Sequence, residues 1–251
     1  MWPRIGPIPT YAILYSLGIV VHFFVSRRLA RRLGLDRRIW ILVSIAYLLG
    51  MTVGAKVLYD LRQSQLNLSD LLSPRHYMRA GLWGGLAAYL ALAVPLSMLL
   101  TAKRRSARDL VAMAIPIPYA MAKVGCFLHG CCYGRPSSLP WAIAFPAQSA
   151  AKPTGVPLHP TQIYEIALMG CIFLVLNILK RDRWRGTKLL WFLAIYGVGR
   201  AAIDVFRGDA SRYIYIGPVT LTQLACLAVA IVSAVLLIVL TRRSRSAGVR
   251  R

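Results

Sequence analysis

The chain has 251 residues, 57% of them hydrophobic, yet it carries 31 Lys and Arg against 8 Asp and Glu. A basic nucleic-acid binder spreads its charge over polar faces. Here apolar runs long enough to cross about 30 Å of hydrocarbon separate short basic clusters, which argues against nucleic acid and for an all-α polytopic membrane protein.

In chain order, stretches of about 20 apolar residues predict seven spans, at roughly 9–26, 39–59, 78–100, 108–128, 160–179, 187–207 and 217–240. The first is not expected to be a cleaved leader, because its apolar core is long and its basic residues follow rather than precede it. The segments 27–38, 103–108, 180–188 and 242–251 hold 20 of the 31 Lys and Arg. By the positive-inside bias they face the cytoplasm, which sets the N-terminus outside and the C-terminus inside. No repeat or second soluble domain interrupts the pattern, so residues 1–251 read as one integral membrane domain. The stretch 129–159 is rich in Pro, Gly and Ser and too polar to span. It is expected to be an extracytoplasmic loop, with "WAIAFP" inside it as a short strand or an interfacial segment.

Charge within the spans points to a site. Arg200 lies thirteen residues into the sixth span, roughly 20 Å along a helix. Asp204 and Arg207 follow at i+4 and i+7, so all three are expected to project from one face of the helix. Burying such charges costs several kcal/mol unless they are paired or solvated, so they are functional candidates; an ion pair of Arg200 with Asp204 that pins the helix is the plain structural alternative. Arg75 and Arg79 at the outer end of the third span, Lys123 late in the fourth and Arg135 after it add cations at the same depth, where the abundant anion is a phospholipid phosphate. Glu165 is the sole glutamate, and at the entry of a span it needs a cation, for which Lys123 and Arg200 are the candidates.

The stretch "GCFLHGCCYG", residues 125–134, gathers Cys126, His129, Cys131 and Cys132. Four readings fit it. The residues supply enough N and S ligands for zinc, although their spacing is crowded. A disulfide from Cys126 to Cys131 or Cys132 is permitted outside the cytoplasm. A cysteine activated by His129 and the nearby cations is a nucleophile or redox group. Finally, cysteines fill tight apolar turns, and packing is the reading for Cys171 and Cys226, both mid-span.

The ordered motifs "YAILYSLG", "RAGLWGG", "AKVGCFLHGCCYGR", "PWAIAFP", "LHPTQIYE", "YGVGRAAIDVFRGD" and "LTQL" cover most of the chain. Together they resemble the prolipoprotein diacylglyceryl transferase family. The resemblance implies a seven-span bacterial inner-membrane enzyme with its active site toward the outer side. It would move the diacylglyceryl group of phosphatidylglycerol onto the lipobox cysteine thiol of a prolipoprotein and release glycerol phosphate. Tyr11, Gly134, Arg135, Gln162, Tyr164, Glu165, Tyr196, Arg200 and Arg207 match the family pattern, and Asp204 replaces its usual Glu. Arg79 stands where the family has a His, and Lys123, Cys126, His129 and Cys131 stand at its Arg, first Asn, second Asn and Glu.

On this basis Arg200, Arg79 and Lys123 are expected to hold the lipid phosphate, and His129 or Asp204 to act as base on the acceptor. Tyr11, Arg135, Gln162, Tyr164, Glu165, Tyr196 and Arg207 are expected to bind and orient the substrates. The expected site needs neither a metal ion nor a cofactor. The altered positions leave room for another acceptor, a sugar or a small thiol, for a non-catalytic lipid binder, and for a thiol-redox enzyme.

Overall fold

A computed structural model describes residues 4–6, 8–62, 82–179, 184–208 and 215–248. Helices dominate: α1 (Thr10–Arg32), α2 (Arg37–Leu49), a π-helical segment (Gly50–Gly54), α3 (Ala55–Arg62), α4 (Leu82–Leu99), α5 (Arg104–Met113), α6 (Pro116–His129), α7 (Thr161–Ile178), α8 (Lys188–Val205) and α9 (Leu221–Gly248). The strands are two-residue antiparallel pairs: β1 (Arg4–Ile5) with β2 (Ile8–Pro9), β3 (Ile143–Ala144) with β4 (Pro157–Leu158), and β5 (Tyr215–Ile216) with β6 (Val219–Thr220). The protein is thus an all-α polytopic membrane protein. Six helical stretches of the described residues are long and apolar enough to cross a bilayer. The sixth expected span, α8, has 18 residues but carries Lys188, Arg200 and Asp204. Its charges, not its length, set it apart.

The chain folds as two compact units, one of residues 19–115 and the other of residues 1–18 with 116–251. In the first, an aromatic knot forms the polar heart of an apolar bundle. His22 stacks on Tyr47 with ring centroids 3.8 Å apart and meets the edge of Tyr89, whose hydroxyl donates to the Val111 carbonyl at 3.2 Å. Lys56 pairs with Asp60 one turn later at 2.5 Å, so this buried pair is satisfied within a helix.

The second unit packs α6 against α7, α7 against α8 and α8 against α9. The last contact is intimate, because a Cβ on Gly197 would lie 2.4 Å from the Cys226 carbonyl oxygen and 2.9 Å from the Ala230 Cβ. Only a glycine lets the two backbones approach so closely, as small residues do between membrane helices. Cys226 is buried there, in line with packing, whereas Cys171 lies on an exposed face of α7. Between α6 and α7, the expected strand in "WAIAFP" exists as β3, paired with β4 by Ile143 to Leu158 and Ala144 to Pro157. This hairpin folds over a small core of its own, Phe145, Ala151 and Leu158, which Phe127 and Tyr133 join from the α6 side.

Candidate active site

The site is assembled around Glu165, which α7 presents to the interior of the second unit with its side chain fully buried. Its Oε1 accepts from Lys123 Nζ at 2.8 Å and from Arg207 Nη1 at 3.4 Å, and its Oε2 accepts from the Tyr119 hydroxyl at 2.7 Å. Tyr119 and Lys123 are one turn apart on α6 and so share a face. The Tyr119 hydroxyl also meets that of Tyr196 on α8 at 3.1 Å, and the Tyr196 ring stacks on Phe192. One turn beyond Tyr196, Arg200 is ion-paired with Asp204, both buried. Three cations, Lys123, Arg200 and Arg207, thus face two carboxylates, Glu165 and Asp204. Among these five described side chains the formal charges sum to +1, in a site screened from water.

Arg207 reaches Glu165 by a route that helical spacing did not foresee. It is not on the same helical face as Arg200 and Asp204, because α8 ends at Val205 and Arg207 lies in a bridge to Gly134. The chain between α6 and α7 is stitched to that helix end. Arg135 N donates to the Phe206 carbonyl at 2.9 Å, Gly208 N to the Tyr133 carbonyl at 3.2 Å, and the Arg135 guanidinium to the Val205 carbonyl. Gly134 N and His159 O bond at 2.9 Å, and His159 N and Arg135 O at 3.0 Å. Arg135 therefore serves this junction through backbone and side chain alike.

The thiols lie at the adjoining turn. The Sγ atoms of Cys126, Cys131 and Cys132 all lie within 4.8 Å of one another, a close group that His129, half-buried at the end of α6, does not join. No disulfide joins them in this structure. Positive φ at Gly130 (81°) and at Cys132 (63°) folds the turn back on itself; Cys132 is the one non-glycine residue with positive φ among those described. Two side chains from the start of α7 clamp it: Thr161 Oγ1 donates to the Cys132 carbonyl at 2.6 Å and Gln162 Nε2 to the Cys131 carbonyl at 2.7 Å. Gln162 is fully buried, and its Oε1 has no hydrogen-bond partner among the described residues. Hydrogen bonds from the Cys126 and Cys131 thiols hold the Cys132 thiol well below the usual range, and against the opposing effect of burial Lys123 and Arg207 pull the same way. Tyr11, buried near the start of α1, lies within electrostatic reach of all three cysteines.

Tyr164 belongs to a different surface from its neighbour Glu165, as a 100° step along a helix requires. Its hydroxyl accepts from Trp141 Nε1 at 2.8 Å and meets His159 Nδ1 at 3.0 Å. Burial first, and then the neighbouring Arg135 charge, lower the pKa of His159 and favour its neutral form. Trp141, Ile143, Pro160, Ile163 and Tyr164 line an apolar pocket of about 580 Å³.

Of the expected site residues, the structure gathers Lys123, Glu165, Tyr196, Arg200, Asp204 and Arg207 around one buried charge cluster. Gln162 and Tyr11 stand at the thiol turn, and Arg135 and Tyr164 flank the hairpin. Arg79 and Arg75 lie outside the described residues. Tyr119 is the participant that sequence reasoning missed. Its signal was present: it precedes Lys123 by four residues on a predicted helix. Tyr119→Phe is expected to cost about 1 kcal/mol, the worth of one buried hydrogen bond, seen as a lower midpoint of thermal unfolding in detergent.

A model of the prolipoprotein diacylglyceryl transferase family matches residues 3–239. The chain belongs to that family. Among its relatives, the phosphatidylglycerol-prolipoprotein diacylglyceryl transferase of Geobacter sulfurreducens is 31% identical over 246 residues, covering 93% of this chain and 91% of that protein. The enzyme of the same name from Pasteurella multocida is 30% identical, with 99% and 93% covered, and that from Methylococcus capsulatus 31% identical, with 92% and 91% covered. No solved structure matches the chain. Membership gives the buried cluster a context: in this family member the charged centre is built from α6, α7 and α8 and closed by the segment after α8.

Proposed function

We propose that this protein is a multi-pass transferase of the bacterial inner membrane that moves the diacylglyceryl group of phosphatidylglycerol onto the lipobox cysteine thiol of a prolipoprotein. The observation that carries the reading is the gathering of three buried cations, Lys123, Arg200 and Arg207, with Glu165 and Asp204 in one cluster. It suits one phosphodiester, a monoanion, at the depth of a lipid headgroup. Family membership supports the same substrates, and the sorting of basic residues supports an outside N-terminus and a cytoplasmic C-terminus.

In the reaction the acceptor sulfur attacks the glyceryl carbon. The S–C bond forms as the C–O bond to phosphate breaks, the thiol proton passes to a base, and glycerol phosphate leaves with an added negative charge. Arg200 meets that charge, its guanidinium offering two parallel hydrogen bonds to phosphate oxygens. Glu165 anchors Lys123 and Arg207 so that their charge is in place before the lipid arrives. Asp204, released by Arg200 as the phosphate takes its place, or His129 at the end of α6 acts as the base. Tyr11, Tyr196 and Gln162 orient the substrates, and Arg135 and Tyr164 hold the hairpin above them.

Arg200→Ala is expected to lower transfer from labelled phosphatidylglycerol to a lipobox peptide by at least about 10²-fold, the usual loss of a preorganised donor to developing charge. Undiminished transfer would remove Arg200 from the site. Failure of the wild-type gene to rescue cells depleted of their own transferase, while its product still consumes the lipid, would point to another acceptor.

A further inference from the structure

We propose that Cys126, Cys131 and Cys132 form a three-thiolate site for a thiophilic cation, zinc being the fitting one, whose open fourth position takes the acceptor thiol. The inference rests on the transfer reading above for its acceptor, and on this chain's own residues for the metal. Three thiolates around zinc at about 2.3 Å place their sulfurs roughly 4 Å apart. The Sγ atoms already lie within 4.8 Å of one another and are not joined by a disulfide. Little movement separates the turn from a ligating geometry.

The turn is also built to keep the sulfurs together. Cys132 is held at φ 63°, the Cys131 and Cys132 carbonyls are pinned by Gln162 and Thr161, and the Cys131 N–H bonds the Cys126 carbonyl at 3.1 Å. Packing alone would not call for such restraint. Lys123 and Arg207 lie within electrostatic reach of Cys132, and cations there favour a zinc-thiolate group, which is anionic. Gln162 Oε1, buried and without a hydrogen-bond partner among the described residues, belongs to the same amide whose Nε2 holds the Cys131 carbonyl. Where the family pattern has amide and carboxylate groups, this chain has soft ligands.

The chemistry follows from the ligand count. Catalytic zinc sites keep three protein ligands and one open position, and a thiol bound there loses its proton outright. The acceptor cysteine would enter as the fourth ligand and release its proton to His129 or solvent. It would then attack the glyceryl carbon as a thiolate, and the thioether product, a weaker ligand, would leave zinc as glycerol phosphate departs from the cation cluster. No electron is gained or lost by the metal.

The test uses the full-length protein, purified in detergent under reducing conditions and equilibrated with Zn²⁺ or Co²⁺. One bound zinc per chain is expected, together with sulfur-to-cobalt charge-transfer absorption in the cobalt form. A lipobox peptide should perturb the cobalt spectrum, and the same peptide with serine in place of cysteine should not. Metal-free protein should transfer at least 100-fold more slowly and recover on adding Zn²⁺. C131S should lose the stoichiometric metal; the spectra of the unmutated protein decide the matter even if that variant fails to fold. Transfer at full rate without metal, zinc below a tenth of an equivalent, or a mapped disulfide among the three cysteines in protein isolated with its thiols blocked would each overturn the inference and leave the transfer reading standing. A cobalt spectrum that answers to the peptide thiol, in a protein that never transfers, would uphold the site and overturn the transfer reading instead.

Discussion

Glu165→Gln is expected to destabilise the protein by about 3–5 kcal/mol, the cost of breaking a buried ion pair from one side. Glu165 is the shared acceptor of Lys123, Arg207 and Tyr119, and its side chain is fully buried. An amide of the same shape would leave two ammonium- and guanidinium-type charges facing a neutral group, with Arg200 nearby to repel them. The local formal charge rises from one to two. Thermal unfolding in detergent should show a large drop in midpoint, and transfer should fall with it.

The control is the double variant Lys123→Met with Glu165→Gln. Removing both partners takes away the uncompensated charge along with the attraction, so the double variant should be more stable than Glu165→Gln alone. A double variant less stable than the single one would mean that Glu165 is held mainly by Arg207 and Tyr119. Activity separates the roles further. Stability regained without transfer would assign Lys123 to the reaction as well as to the fold.

The span pattern, the strand in "WAIAFP" and the Lys123 partner of Glu165 were legible in the sequence, because each is a local or stoichiometric property. Apolar length announces a span wherever it packs, and a sole buried glutamate must find a cation. What was hidden depends on where a helix stops. Arg207 reads as the i+7 member of a helical face until the bridge to Gly134 shows that α8 has already ended. Tyr164 and Glu165, adjacent in "LHPTQIYE", read as one motif, yet helical geometry sends one toward the hairpin pocket and the other into the charge cluster. The cysteines were ambiguous for a related reason. Separations of five residues and of one, with two cysteines adjacent, suit zinc poorly on an extended chain, and the positive-φ turn at Gly130 and Cys132 draws the three sulfurs together.

The junction that ends α8 yields the other large effect. Gly134→Ala is expected to cost about 3 kcal/mol or more, at the upper end for overpacking, because the added methyl has no room on any side. Its Cβ would lie 2.4 Å from the His159 Cβ, 2.6 Å from the Phe206 carbonyl oxygen and 2.7 Å from that of His159. Two of these three are backbone atoms, fixed by the bonds of Gly134 N to His159 O and Arg135 N to Phe206 O, so no rotamer change relieves the clash. Relief requires that the segment after α8 move away from the hairpin. That movement carries Arg207 off Glu165, so the substitution should weaken lipid binding as well as stability although it touches no charge. Gly170→Ala on α7 is the matched control, since nothing lies within 4 Å of its added Cβ and alanine is the better helix former. Unfolding midpoints should fall for Gly134→Ala and hold or rise for Gly170→Ala. If Gly134→Ala lowered the midpoint with the apparent affinity for phosphatidylglycerol unchanged, Arg207 would be reaching Glu165 independently of the junction, and the coupling between hairpin and charge cluster would fall.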